Sequence, residues 1–175
     1  MSKQLDKLTN LELIQFLNCS LPSFPDIPNL RKLRILELPY NKLTRLGELP
    51  DVELIELDKN LFTEVPLLKY HRNLVSLDIA YNPLQSASHV TMYNNLSSLD
   101  VSFCKLTSIP RDIDKLQNLR FLDITGNNLT HIPTNLLDLP NLEYLKAVQL
   151  QLPFEEIVSI KRAFKKKRPL TQLFI

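Results

Sequence analysis

LRFLDITGNNLTHIP, Leu119 to Pro133, carries apolar residues at Leu119, Leu122, Ile124, Leu129 and Ile132, with Asn127 fixed among them. Around Leu122 and Ile124 apolar and polar residues alternate with period two, the mark of a short strand with one buried face. The spacing returns along nearly the whole chain. Anchored on the Asn127 slot, the units are LELIQFLNCSL (Cys19), LRILELPYNKL (Asn41), VELIELDKNLF (Asn60), LVSLDIAYNPL (Asn82), LSSLDVSFCKL (Cys104), LRFLDITGNNL (Asn127) and LEYLKAVQLQL (Leu150). Successive anchors lie 22, 19, 22, 22, 23 and 23 residues apart. A fixed period of this length predicts a solenoid, because no unit can bury its own leucines and each neighbour completes the core.

Composition agrees. With 175 residues and 44% hydrophobic content the chain can bury a core as one domain. Twelve prolines against two glycines suit a compact, extended return segment on the outer side of each unit. The 19-residue step must cross that outer side tightly, through GELPD at 47–51. A net charge of +2 gives no global case for nucleic acid, and no run approaches the roughly 18 apolar residues of a membrane span. With charges at Lys3, Asp6, Lys7 and Glu12, MSKQLDKLTNLELIQFL does not fit the pattern of a secretory leader, and none is expected in it. If the chain is complete, a cytoplasmic or intracellular place is expected, a cilium or the cytoskeleton included. Three sequons, at Asn18, Asn95 and Asn128, are read as chance products of an Asn-rich repeat.

The pattern L-x-x-L-x-L-x-x-N/C-x-L resembles the leucine-rich repeat. The tails Leu21-x-x-Phe24-Pro25, Phe62-x-x-Val65-Pro66, Leu106-x-x-Ile109-Pro110 and Leu129-x-x-Ile132-Pro133 resemble the x-x-I-P repeats of intracellular signalling scaffolds, and Asn118-Leu119 and Asn141-Leu142 fit that family's entry into a strand. The resemblance implies an α/β leucine-rich-repeat solenoid, with a curved parallel sheet on the concave face and extended or short helical convex segments. One domain covers 1–175. Residues 1–10 are a partial unit or cap, marked by Leu5, Leu8 and Leu11. Residues 11–152 are seven repeats, and 153–175 are a helix and last strand closing the end. Pro153, Glu155, Glu156 and the terminal lysines bound that helix. Its apolar face is read as Phe154, Ile157, Val158, Ala163 and Phe164, and Leu170-x-x-Leu173-x-Ile175 resumes the strand register, as a terminal strand held by the helix or a chain cut there.

The anchor ladder Cys19, Asn41, Asn60, Asn82, Cys104 and Asn127 is read as structural: a buried amide serves backbone groups that the turn leaves unpaired, and Cys is a weaker donor that tolerates burial. Cys19 and Cys104 sit four units, about 20 Å, apart, beyond disulfide reach. The outward positions carry the function. Gln15, Glu37, Glu56, Asp78, Asp100, Asp123 and Lys146 form one column, in which five consecutive carboxylates make an acidic ladder suited to a basic partner surface. A purely structural Asp at this slot is the alternative, and Glu37 and Glu56 depart from it while keeping the charge. Tyr40, Tyr81 and Phe103 stand in a second column beside the ladder. A third runs Leu13, Ile35, Leu54, Ser76, Ser98, Phe121, Tyr144. Its apolar start, with Leu17 and Pro39, makes a patch for a partner or for an N-terminal extension. The run Lys161, Arg162, Lys165, Lys166, Lys167, Arg168 is either a solvated helix face or a contact for anionic lipid, nucleic acid or an acidic protein.

Enzymatic signals do not accumulate. His71, His89 and His131 fall in separate units, and phosphate loops and nucleophile elbows are missing. No metal, cofactor or small-molecule substrate is expected. The expected function is non-catalytic recognition of another protein through the concave face, as an adaptor or regulatory subunit. The alternatives are a structural subunit of a large ciliary or cytoskeletal assembly, and lipid or nucleic-acid association through the basic run.

Overall fold

The computed structural model of the chain describes residues 2–175. Eight three-residue strands stack in sequence order into one parallel sheet: β1 Leu13–Gln15, β2 Ile35–Glu37, β3 Leu54–Glu56, β4 Ser76–Asp78, β5 Ser98–Asp100, β6 Phe121–Asp123, β7 Tyr144–Lys146 and β8 Gln172–Phe174. The register is unbroken, with Ile14, Leu36, Ile55, Leu77, Leu99, Leu122, Leu145 and Leu173 paired across it. Each of these central side chains points inward, and the residues before and after it face the concave side. The core is one continuous cluster between this sheet and the outer segments.

The outer segments differ along the chain. Those following β4, β5 and β6 contain short 3-10 helices, Ser88–Met92, Ile113–Lys115 and Thr134–Asp138. The earlier ones have none. The tight 19-residue unit works because Gly47 lies against the backbone of the first unit: Glu48 N–H donates to Asp26 Oδ1 at 2.7 Å, and Ile27 N–H returns to the Glu48 carbonyl at 2.8 Å.

Asn41, Asn60, Asn82, Cys104 and Asn127 are buried at the corner, whereas Cys19, expected as a buried anchor, is exposed because no full repeat precedes it. Asn127 Nδ2 donates to the Val101 and Ile124 carbonyls at 2.9 Å, while its Oδ1 accepts the Cys104 and Leu106 N–H groups at 3.1 and 2.9 Å. Asn41, Asn60 and Asn82 repeat the pattern, each tying its own turn to the preceding one. Cys104 Sγ donates to the Ile79 and Ser102 carbonyls at 3.3 Å but offers no comparable acceptor. The Leu84 N–H it would serve turns back instead to the Asn82 carbonyl at 2.8 Å. Burial pushes the Cys104 thiol up to about 12, so it stays protonated. Both cysteines are free. A second asparagine ladder holds the opposite corner, where Asn95, Asn118 and Asn141 Nδ2 donate to the carbonyls of Arg72, Asn94 and Gln117.

At the N-terminal end, a short helix, α1 Ser2–Leu5, begins a set of tight turns. Leu5 and Leu11 pack on the core, and Leu8 stays exposed. At the other end, α2 Phe154–Lys167 docks by a face that differs from the expected one: Ile160 and Phe164 are buried, whereas Phe154 is 75% exposed and Val158 also faces solvent. Residues 157, 160 and 164 follow the 3–4 spacing of a single helical stripe, and 154 and 158 fall on the next row. Leu173 pairs in register with Leu145, but Leu170 is 92% exposed, because the chain enters β8 from a helix end and not from a repeat corner.

Candidate functional site

The sheet register puts Gln15, Glu37, Glu56, Asp78, Asp100, Asp123, Lys146 and Phe174 in one line across the concave face. Adjacent members are about 4.8 Å apart along the sheet. Three aspartates also serve the nearby backbone. Asp78, Asp100 and Asp123 each accept, through Oδ1, the N–H two residues on, at 2.8–2.9 Å. This fixes one oxygen and leaves the other outward. The ends of the ladder are matched within the chain. Gln15 Nε2 donates to Glu37 at 2.5 Å, and Lys146 Nζ lies 3.7 Å from Asp123 and 5.1 Å from the Phe121 ring centre. Between them Glu56, Asp78 and Asp100 have no cation at ion-pair distance among the described residues. Asp123, expected to be presented outward, is buried under Lys146, as is its neighbour Thr125.

A fourth carboxylate escapes the strand columns. Asp58, half-buried in the turn after β3, lies close enough to raise the proton affinity of Glu56 and Asp78. Its signal in the sequence is only a charged residue where other units carry Pro39, Ala80 or Ser102. Loss of solvent is the main cause throughout: it raises Glu56, Asp58 and Asp100 from their ordinary values and pushes Asp78 up to about 7, with Asp100, Asp58 and Glu56 adding to the last. The folded state therefore keeps a proton on Asp78 that the unfolded chain, with a pKa of about 3.9, releases. Stability from this group is fully present below about pH 4 and is lost as pH rises to about 7. Asp78→Asn, which keeps the bond to Ala80 N–H, is expected to stabilise the protein at pH 8 by about 1–2 kcal/mol after allowance for solvent screening. It should also flatten the pH dependence between about 5 and 7, as urea unfolding across that range would show. An Asp78→Asn protein no more stable than wild type at about pH 8 contradicts this.

The neighbouring column is large at its ends and small in the middle. Leu13 is 48% exposed, and Ile35 and Leu54 are half-buried; Ser76 and Ser98 follow, and then Phe121 and Tyr144, 6.5 Å apart and tilted. Leu17 is exposed beside Leu13, but Pro39, expected in the same patch, is buried. Its column lies where the strand bends towards the corner, and Pro39 has a rung on each side, whereas Leu17, on the first rung, has one. With Ala80 and Ser102 also small, the fourth and fifth rungs form a low floor bearing the unmatched aspartates.

Tyr40, Tyr81 and Phe103 stand at the corner and not on the strands. Their whole column, Asn18, Tyr40, Lys59, Tyr81, Phe103, Gly126 and Gln149, has φ between 53° and 67°. Non-glycine residues adopt this left-handed region at a cost of order 1 kcal/mol each. The repeated bonds from the asparagine anchors to the adjoining carbonyls hold it in place. Tyr81 and Phe103 stack with centroids 4.6 Å apart and planes 10° apart. Lys59 donates to the Tyr40 hydroxyl and sits 4.1 Å from the Tyr40 and 5.0 Å from the Tyr81 ring centres. Phe103's other face lies where a Cβ on Gly126 would be. The ring faces are thus occupied by one another, and the row offers a partner its edges.

The basic run divides. Lys167 pairs with Asp138, and Arg168 donates to the Leu137 and Pro140 carbonyls, so both fasten α2 to the solenoid. Lys161, Arg162, Lys165 and Lys166 are exposed. No helix among the described residues is long and apolar enough to cross a membrane.

Residues 72–129 and 94–152 match the family model for the leucine rich repeat. No curated protein matches the chain. Among solved structures, a leucine-rich-repeat protein of Leptospira interrogans superposes on all of this chain with a TM-score of 0.72 at 22% identity, a likeness of fold, and the chain spans 51% of it. The ectodomain of the Arabidopsis thaliana membrane receptor kinase GASSHO1/SCHENGEN3, solved with CASPARIAN STRIP INTEGRITY FACTOR 2, matches 85% of the chain at 27% identity and TM-score 0.66, over 19% of its own length. YopM of Yersinia enterocolitica matches 86% at 26% identity and TM-score 0.56, over 36% of its length. The chain thus spans about half or less of each. With eight parallel rungs, an asparagine ladder at the inner corner and this family match over residues 72–152, the chain has the leucine-rich-repeat solenoid fold.

Proposed function

We propose that the chain is a non-catalytic recognition module that takes another protein on its concave face, in the manner of an adaptor or regulatory subunit inside the cell. The observation that carries the reading is the unmatched centre of the acidic ladder. Three carboxylates on consecutive rungs are held at a desolvated surface with no cation of their own, at a cost in stability that binding of a basic surface would remove. Edge-on aromatics border this centre on one side, and Leu54 and Phe121 flank it along the sheet, aromatic and apolar groups of the kind that anchor protein interfaces. Fold alone would not carry the reading, since one solenoid serves many partners. Lys167 and Arg168 are occupied at the cap, which favours the concave face over the basic run.

The test uses Ser98→Tyr, which fills the floor with a side chain that Tyr144 already shows to fit this column. Crosslinked partners from the native cell should disappear with Ser98→Tyr and persist with Leu67→Lys on the exposed outer surface. Equal recovery of every partner by both variants would place binding elsewhere.

A further inference from the structure

Resting on that reading, we propose that the partner element seated on the middle of the concave face is an amphipathic helix laid across the strands, its two central cationic side chains on Asp78 and Asp100 and its flanking apolar side chains against Leu54 and Phe121. On rungs three to six one column reads Leu54, Ser76, Ser98, Phe121, apolar at its ends and small in the middle, and the column beside it reads Glu56, Asp78, Asp100, Asp123, so the two central rungs present only small side chains and carboxylates. Those rungs span three steps of about 4.8 Å, near 14 Å in all. A helix rises about 1.5 Å per residue, so positions 0, 4, 7 and 11 fall at about 0, 6, 10.5 and 16.5 Å along one face, close to the rung spacing and narrowed by the convergence of side chains on a concave surface. An extended strand presents same-side residues about 6.7 Å apart and drifts by roughly 2 Å at each rung. Ser76, Ser98, Ala80 and Ser102 leave depth for such a helix.

Charge and local geometry select the two central side chains. Each aspartate is oriented by the backbone N–H two residues on and has no cation at ion-pair distance among the described residues, so neither must reorganise to meet one. The chain already shows the contact one rung on, where the Lys146 ammonium lies between Asp123 and the Phe121 ring. Lys59, the other cation at this face, is turned to Tyr40 at the corner and leaves the floor free. Arginine suits each seat best, because a planar guanidinium donates to a carboxylate in a fixed geometry and lies flat on neighbouring side chains.

The probe is an alanine-based helical peptide of pattern Leu-x-x-x-Arg-x-x-Arg-x-x-x-Leu, titrated calorimetrically into the full chain. Binding should weaken with salt. Replacing both arginines by citrulline, or the protein's Asp78→Asn or Asp100→Asn, should each weaken it about tenfold. Moving the second arginine by one residue should do the same. Asn at either position keeps the turn bond, so folding is retained. Glu143→Gln, which breaks an exposed pair with Arg120 at the sheet margin, should change nothing. A citrulline peptide that binds equally, or Asp78→Asn and Asp100→Asn proteins that bind as wild type, overturns the proposal. If Ser98→Tyr abolishes native partners while the peptide does not bind, the helix inference fails and the concave-face reading stands. If Ser98→Tyr retains every partner, the reading fails with it.

Discussion

Asn127→Ala is expected to lower stability by about 4 kcal/mol. The amide is nearly solvent-free, and four strong bonds end on it: donations to the Val101 and Ile124 carbonyls and acceptances from Cys104 and Leu106 N–H. Alanine leaves those backbone groups buried and unpaired, at about 1–3 kcal/mol for each that finds no new partner. Local relaxation returns part of that, as the Leu84 N–H shows where it turns to a carbonyl of its own unit. In a chain of this size about 4 kcal/mol is roughly 10 °C in Tm. Asn127→Cys should cost about half as much. Cys104 shows that a thiol, with one weak S–H, still reaches the carbonyls of the preceding unit and of the residue two back, the counterparts of Val101 and Thr125, while the bond to Ile124 and the acceptor for Cys104 and Leu106 N–H are lost. Hydrogen exchange would locate the damage at the Leu106 amide, and urea unfolding would rank alanine below cysteine below wild type. If alanine and cysteine cost the same, the acceptor alone carries the anchor's contribution and the donations are dispensable.

The rungs and their register are legible in the sequence because a 22–23-residue period repeats the same side chains in the same slots, and burial of the leucines leaves one way to stack them. The acidic column is legible for the same reason. What each residue of a column touches is not, because that depends on the rungs either side of it. Asp123 lies under Lys146 only because the next rung carries a lysine where its neighbours carry carboxylates. Pro39 is buried and Leu17 is not, though they share a slot, because one has two neighbours and the other has one. The left-handed corner is hidden for another reason. Tyr40, Lys59, Tyr81 and Phe103 are poor left-handed formers, and their backbone is set by hydrogen bonds from the anchor that follows each of them. The single glycine in that column, Gly126, is the one local hint. The docking face of α2 departs from the expected one because apolar residues outnumber the positions its shallow contact can cover.

Gly47→Ala is expected to detach the first repeat while leaving the rest folded. A Cβ at Gly47 would stand 2.5 Å from the Pro25 carbonyl carbon and 2.6 Å from both Pro25 O and Asp26 N. All three are backbone atoms, so no side chain can rotate out of the way. The 19-residue unit also has no slack, since its outer segment runs straight from Leu46 to Leu49 against the first unit. Relief therefore requires the outer sides of units one and two to part, breaking the Glu48–Asp26 and Ile27–Glu48 bonds. In a solenoid each unit contacts only its neighbours, and this unit is the terminal rung of the sheet. The loss is then capped by the energy of one interface, about 2–4 kcal/mol, because beyond that the first rung opens and the strain vanishes. The consequence is a distinctive profile. Exchange protection should fall for amides of residues 13–38 and trypsin should cut at Arg31 and Lys32, while residues 74–147 remain protected. Arginine-peptide binding at Asp78 and Asp100 should persist, since those rungs lie beyond the break. A uniform loss of protection along the whole chain would mean that the units fold as one cooperative block, and the cap on the energy would not apply.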